Sequence, residues 1–409
     1  MRVAVVGAGW AGLAAAVELT TRGHAVTLFE AGRVAGGRAR TVELDGRRLD
    51  NGQHILLGAY RDTLALMRRV GADPAPLFER RPLAVHEPGR FRLALPKLPA
   101  PLNLAWGLLT AAPVDLAEKL KTARWMLGVQ ARGFRVGHDT TVAAWLDAAG
   151  QTGAFRKHLW EPLCLAALNT PAERASAQLF AHVLRDSLGS PRRADTDLLL
   201  PRVPLGDVLP EPAIAWLTQH GATLRFGVRV QQVTPQDNAV RIDGEAFDAA
   251  ILAVAPQHLA RLLPDAAPQL DYEPIATVYL DFGTKTGAPT ATLPFPLLHL
   301  NGRIGQWVVD RGDGLLGAVL SGHGPWEALN DQALAAALQA ELGMTHRPRW
   351  YRVIREKRAT FSGRPQLVRT PAATRWPQLW IAGDHTWQDY PATLEGAVRS
   401  GLYAARQLT

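Results

Sequence analysis

Gly7-x-Gly9-x-x-Gly12 stands at the start of the chain, between Val3-Ala4-Val5-Val6, which reads as a short buried strand, and Leu13-Ala14-Ala15-Ala16-Val17-Glu18-Leu19, a run of helix formers. A second strand, Ala25-Val26-Thr27-Leu28-Phe29, follows and ends in Glu30, 18 positions beyond Gly12. This is the dinucleotide fingerprint in its strand–turn–helix–strand setting. The first glycine allows the tight turn, the second lets the backbone approach a pyrophosphate, and the third lets the helix pack close to the strand. The helix N-terminus adds free N–H groups and partial positive charge. A carboxylate at Glu30 accepts hydrogen bonds from a ribose diol and disfavours a 2′-phosphate.

Composition bounds the rest. At 409 residues the chain is long enough for two domains or one interleaved structure, and 47% hydrophobic with 20% charged residues describes an ordinary globular protein. Cys164 is the only cysteine, so disulfides within the chain and cysteine-based metal sites are excluded, and no metal is expected. A buried hydrophobe is its expected role. The net charge is +8, and only six of the 45 basic residues are lysine. Such a balance suits an anionic surface such as a phospholipid leaflet. Without a dense basic run, a zinc knuckle or an aromatic RNA-binding signature, no nucleic-acid partner is expected. The expected location is cytoplasmic, peripheral on the inner face of the cell membrane. Arg2, an apolar stretch and Ala14-Ala15-Ala16 imitate a signal peptide, but cleavage there would destroy the fingerprint. Residues 98–114 lack charge but contain Pro99, Pro101 and Pro113, too broken to span a bilayer.

Cofactor-type segments recur along the chain with other material inserted between them. The reading is an α/β fold: a Rossmann-type cofactor domain (1–80, 205–270 and 365–409) interleaved with a mixed-sheet plus helical substrate domain (81–204 and 271–364). Within the helical part, Asp115-Leu116-Ala117-Glu118 resembles a capping box that opens a helix with Leu116, Leu120, Ala123 and Leu127 on one face. Either that face packs inward, or it forms an apolar rim for a membrane surface or a lipid entrance. Short strands are expected at 224–226, 228–230, 239–242 and 247–254, and an antiparallel region from 277 to 320. Gly312-Asp313-Gly314-Leu315-Leu316-Gly317 also satisfies GxGxxG, but strand follows it rather than helix, so it reads as a hairpin turn. No second, nicotinamide-type Rossmann domain is therefore expected.

Four further segments turn the dinucleotide reading toward a flavin. Gly36-Gly37-Arg38 offers close approach and a phosphate-neutralising arginine. Asp50-Asn51-Gly52-Gln53-His54 is a polar cluster beside an apolar run. Trp380-Ile381-Ala382-Gly383-Asp384 is a strand ending at the carboxyl edge where α/β ligands bind. Tyr390-Pro391-Ala392-Thr393-Leu394-Glu395-Gly396 opens the last helix, whose N-terminus would stabilise negative charge on a reduced isoalloxazine.

Together these segments resemble the FAD-dependent amine oxidase and phytoene desaturase superfamily. Within it, Asp50 to His54 with Leu57-Gly58-Ala59-Tyr60, Arg355-Glu356-Lys357-Arg358-Ala359-Thr360-Phe361 and Pro391 to Ala397 look most similar to the squalene-associated hydroxysqualene dehydroxylases of hopanoid-making bacteria. The resemblance covers essentially the whole chain. It implies non-covalent FAD, with Gly7, Gly9 and Gly12 at the pyrophosphate, Glu30 on the adenosine ribose, and Gly37 and Arg38 by the phosphates. Val230, in a strand, would hold the adenine. Gly383 and Asp384 would meet the ribityl–pyrophosphate stretch, and Ala392, Thr393 and Leu394 would offer N–H groups to the flavin ring. His385 and Trp387 depart from the smaller residues expected there, as flavin-edge or packing groups. No cysteine lies near the C-terminal motif to form a thioether.

The implied reaction replaces an allylic hydroxyl with hydride. Hydroxide leaves poorly, so an acid must protonate it, and an allylic cation needs a dry, apolar pocket. His54 is the first candidate acid because its ordinary pKa suits proton donation near neutrality; Asp50 is the second. The partners implied are an isoprenoid substrate, a membrane surface and squalene-pathway synthases. Three rivals stand beside this reading: a carotenoid-type desaturase, a flavin amine oxidase and a noncatalytic flavin module. Amine oxidases usually carry a lysine on the strand facing the flavin; 276–283 has none, and Lys285 falls just beyond it.

Overall fold

The computed structural model describes residues 1–283, 293, 297–300 and 303–408. Lys285 lies outside them. A five-stranded parallel sheet draws on three distant segments, in the order Thr223–Phe226, Ala25–Glu30, Arg2–Val6, Ala249–Leu252 and Leu379–Ile381. Val3 pairs with both Val26 and Ala249, so the first strand sits at the centre, buried on both faces as parallel strands require. The first helix (Trp10–Thr21) packs between this sheet and the last helix (Leu394–Gln407).

The second sheet contains strands Leu297–His299, Trp307–Asp310, Leu315–Ser321, Tyr272–Asp281 and Trp350–Phe361, in that order. It is antiparallel at every described pairing, as expected for 277–320. Its two faces follow the period of two. Ala276, Val278, Leu280, Val308, Leu316, Ala318 and Leu320 pack on the helix Asp331–Glu341. Ile275, Thr277, Tyr279, Gly317, Val319 and Ser321 point the other way. Gly312 to Gly314 form the turn between two antiparallel strands, as the hairpin reading expects.

Two expected strands differ. Val228 to Val230 join no ladder: the chain turns at Gly227 (φ +71°) and only the Val228 N–H bonds back to the Glu30 carbonyl. The run 247–254 breaks at Asp248, whose backbone and carboxylate both engage Arg2; Glu245–Phe247 pairs with Val240–Ile242, whereas Ala249–Leu252 joins the parallel sheet.

The helical part centres on Trp125, Phe155, Trp160 and Phe180. Asp115 caps the helix Leu116–Ala131 by accepting the Glu118 N–H at 2.8 Å. The box does not close, because the Glu118 carboxylate accepts the Phe155 N–H at 2.7 Å instead. Trp125, Met126 and Val129 form the buried side of this helix, while Leu116, Leu120 and Leu127 are 61%, 61% and 66% exposed. Leu102, Trp106 and Leu109 on the adjoining helix Leu102–Thr110 are exposed too. Among the described residues no helix is long and apolar enough to cross a membrane.

Candidate active site

A cavity of about 790 Å³ runs from the carboxyl edge of the parallel sheet to the inner face of the second sheet. At its start, Gly7 takes φ +106°, and a Cβ there would lie 2.4 Å from the Ala253 carbonyl. Gly12 is closed off harder: a Cβ would sit 1.8 Å from the Gly7 carbonyl. Gly12 therefore seats the helix on the strand and does not line the cavity, unlike Gly7 and Gly9. Gly9 faces open space, with only the Gly37 Cα 3.9 Å from where its Cβ would be. Glu30 accepts the Ala8 N–H at 2.8 Å and the Gly32 N–H at 2.7 Å, which holds its carboxylate at the cavity wall. Val230 lines the same end from its extended segment.

Midway, Arg38 reaches Asp384 at 2.6 Å and the Ala359 carbonyl at 2.9 Å. Burial alone would raise the Asp384 carboxyl, but the Arg38 guanidinium and the neighbouring His385 outweigh it and hold the acid well below the ordinary carboxylate range. His385 is 1% exposed and lines the cavity, and neither ring nitrogen has a hydrogen-bond partner among the described residues. Nδ1 lies 3.8 Å from the Asp384 carboxylate, beyond hydrogen-bond reach; a buried imidazole without a hydrogen bond is costly, so this wall fits a polar group such as a dinucleotide cofactor. Trp387, by contrast, packs on Tyr403 and does not line the cavity.

At the far end, Thr393 caps the last helix by accepting the Gly396 N–H at 3.1 Å, so Ala392, Thr393 and Leu394 bring its N-terminus to the cavity. Arg369, which sequence reasoning missed, fixes this approach: buried, it donates to the carbonyls of Trp387 and Tyr390 and lies over the Phe361 ring. Desolvation with no contacting carboxylate pushes its pKa down to about 10. No local motif marks it.

The two candidate acids part company here. His54 lines the cavity, with Nδ1 2.8 Å from the Gly52 carbonyl. A carbonyl only accepts, so Nδ1 carries the proton and Nε2 is left for a ligand. Burial lowers the His54 pKa, and the nearby Arg38 charge adds to this. Asp50 does not line the cavity. It is 1% exposed, accepts the Leu205 N–H at 2.7 Å and lies 3.5 Å from Arg311. Its role is in the framework, because the strand Arg47–Asp50 turns its side chain into the core while the following residues enter the cavity. Cys164 is buried in the helical part and does not line the cavity, and burial pushes its thiol up.

The chain matches the family described as flavin containing amine oxidoreductase over residues 10–409. It is 30% identical to a hydroxysqualene dehydroxylase from Rhodopseudomonas palustris, over 98% of this chain and 97% of that one. It is 28% identical to a zeta-carotene desaturase from Synechocystis sp., over 100% and 97%. An oxidoreductase from Methanosarcina mazei shares the fold, with a TM-score of 0.75 at 15% identity over 99% of this chain and 100% of that one. The glycine turn, the acidic end of the second strand and the helix N-terminus at the far wall together suit FAD, and the chain belongs to the flavin-containing amine oxidoreductase family as an FAD-dependent oxidoreductase.

Proposed function

We propose that the protein reductively removes the hydroxyl of hydroxysqualene to give squalene. The full-length likeness to the Rhodopseudomonas palustris enzyme carries this reading. When bound and reduced, FAD supplies the hydride. The C–O bond breaks, the proton goes to the departing oxygen, and the oxygen leaves as water. Gly7, Gly9, Glu30, Gly37, Arg38, Val230, Gly383, Asp384, Ala392, Thr393 and Leu394 hold the cofactor, with Gly12 behind them. His54 delivers the proton from Nε2. Ile55, Ala166, Ala167, Ile275 and Val319 give the cavity the apolar walls that a hydrocarbon chain and an allylic cation need. No lysine lines the cavity among the described residues, which sets the amine oxidase reading behind this one. A carotenoid-type desaturase is the second reading, favoured by the likeness to zeta-carotene desaturase.

The substrate reaches the protein from a membrane surface. Seven of the 13 exposed large apolar side chains among the described residues fall between Leu98 and Leu127. Exposed Lys97, Lys121, Arg124, Arg132 and Arg135 flank them. An apolar face rimmed by cations fits an anionic leaflet. The deciding test of the function is whether reduced holoprotein converts hydroxysqualene to squalene; a new double bond formed in a polyene by oxidised holoprotein would favour the desaturase.

A further inference from the structure

Gln53 belongs to the polar loop after Asp50, and nothing in the reaction above uses it. Its side chain lines the cavity, with Nε2 2.7 Å from the hydroxyl of Tyr279. That hydroxyl in turn lies 2.8 Å from the Asp50 carbonyl. The chain of bonds has one direction. The Asp50 carbonyl can only accept, so Tyr279 spends its single proton there. What remains on Tyr279 is a lone pair, which needs a donor, and only the NH₂ end of an amide provides one. The Gln53 amide is therefore oriented by chemistry, with nitrogen toward Tyr279 and oxygen away from it. Tyr279 is 1% exposed, and burial raises its pKa, so the phenol keeps its proton across the working pH range.

The second sheet makes room for this arrangement. Tyr279 and Gly317 are cross-strand partners on its cavity-side face. A Cβ at Gly317 would sit 3.0 Å from the Gln53 Cδ and 3.1 Å from its Nε2. Glycine there lets the glutamine lie flat against the sheet. Among the described residues the amide oxygen has no hydrogen-bond partner. A fixed acceptor without a hydrogen-bond partner, in a cavity that Ile55, Ile275 and Val319 also line, suits a ligand that carries one hydroxyl on a hydrocarbon.

We propose that the Gln53 amide oxygen accepts a hydrogen bond from the substrate hydroxyl and so selects hydroxylated over plain polyisoprenes, with Tyr279 as its positioning residue. The proposal rests on the dehydroxylase reading. An acceptor suits both stages of the departure: it holds the alcohol, and it holds the extra O–H when proton transfer turns the hydroxyl into water. A site built to bond a hydroxyl discriminates against the analogue that lacks one.

The test is titration of oxidised holoprotein with hydroxysqualene and with squalene, read from the flavin absorbance, beside turnover of the reduced holoprotein. Wild type binds hydroxysqualene about tenfold more tightly than squalene. Gln53→Met abolishes that preference by weakening hydroxysqualene alone. Tyr279→Phe frees the amide to rotate and lowers the preference, which provides a second route if Gln53→Met fails to hold FAD. A Gln53→Met or Tyr279→Phe holoprotein with the wild-type preference overturns the inference even though wild type makes squalene. A wild type that makes no squalene overturns the dehydroxylase reading and this inference with it.

Discussion

Arg38 and Asp384, 346 residues apart in sequence, meet at 2.6 Å in the cavity wall. One comes from the double-glycine loop after the second strand, the other from the turn after the last strand of the parallel sheet. Asp384 is buried and ionised, whereas Arg38 is partly exposed toward the cavity. Removing the carboxylate leaves the guanidinium with the Ala359 carbonyl but without its charged partner at the cofactor wall. Asp384→Ala is expected to weaken FAD binding about 10- to 100-fold. Titration of apoprotein with FAD measures this directly, and unchanged affinity would take Asp384 out of the cofactor site.

Gly9 and Gly12 separate folding from binding. Gly12→Ala places a Cβ against the Gly7 carbonyl and should prevent stable folding. Gly9→Ala meets only Gly37 at 3.9 Å and should melt within a few degrees of the wild-type apoprotein, yet lose FAD. Melting curves with and without FAD distinguish the two; equal behaviour would contradict this division.

The titration of Asp50 has a definite sign. Burial pushes its carboxyl up to about 6, against partial compensation from the Leu205 N–H and Arg311. The folded protein then holds a proton that the unfolded chain has already released. Stability falls as pH rises from about 4 to about 6, by about 3 kcal/mol at most. Asp50→Asn should therefore gain stability relative to wild type at pH 8 and not at pH 4. Denaturant unfolding at the two pH values checks it, and a difference independent of pH would show that Asp50 is not destabilised by its charge.

His54 yields the opposite kind of signature. Because burial lowers its pKa, the imidazolium is a stronger acid but a scarcer one at neutrality. Turnover should rise as pH falls through a value below the ordinary imidazole range. His54→Ala should cut turnover about 100-fold or more, abolish that pH dependence and leave FAD bound. Unchanged turnover would remove His54 from the mechanism.

The exposed leucines predict a physical association. Replacing Leu116, Leu120 and Leu127 with Gln should reduce co-sedimentation with anionic vesicles about tenfold or more without changing FAD content. Wild type should itself detach as salt rises, because its rim is cationic. Equal sedimentation of variant and wild type would show that this face does not meet the leaflet.

What sequence could reveal follows the range of the interactions. The glycine turn and Glu30 are local, so their spacing sufficed to find them. Thr393 at the head of the last helix is local as well. The helix Leu116–Ala131 shows the limit: its periodicity has apolar residues on two sides, and spacing alone does not say that Trp125, Met126 and Val129 face inward while Leu120 and Leu127 face out. Asp248 broke a run that looked continuous because its partner, Arg2, is at the other end of the chain. Asp50 and Gln53 share one loop, yet the framework role of the first and the amide orientation of the second depend on Leu205 and Tyr279, which only the folded topology brings near.

The most direct test of the central claim is a single turnover in D₂O: dithionite-reduced holoprotein, hydroxysqualene and no oxygen, with extracted lipid read by mass spectrometry. The hydride-bearing position of reduced flavin exchanges with solvent, so the account predicts squalene carrying one deuterium at the carbon that bore the hydroxyl, formed as the flavin reoxidises. Unchanged hydroxysqualene in protein that carries reduced FAD, or squalene without deuterium, would contradict it.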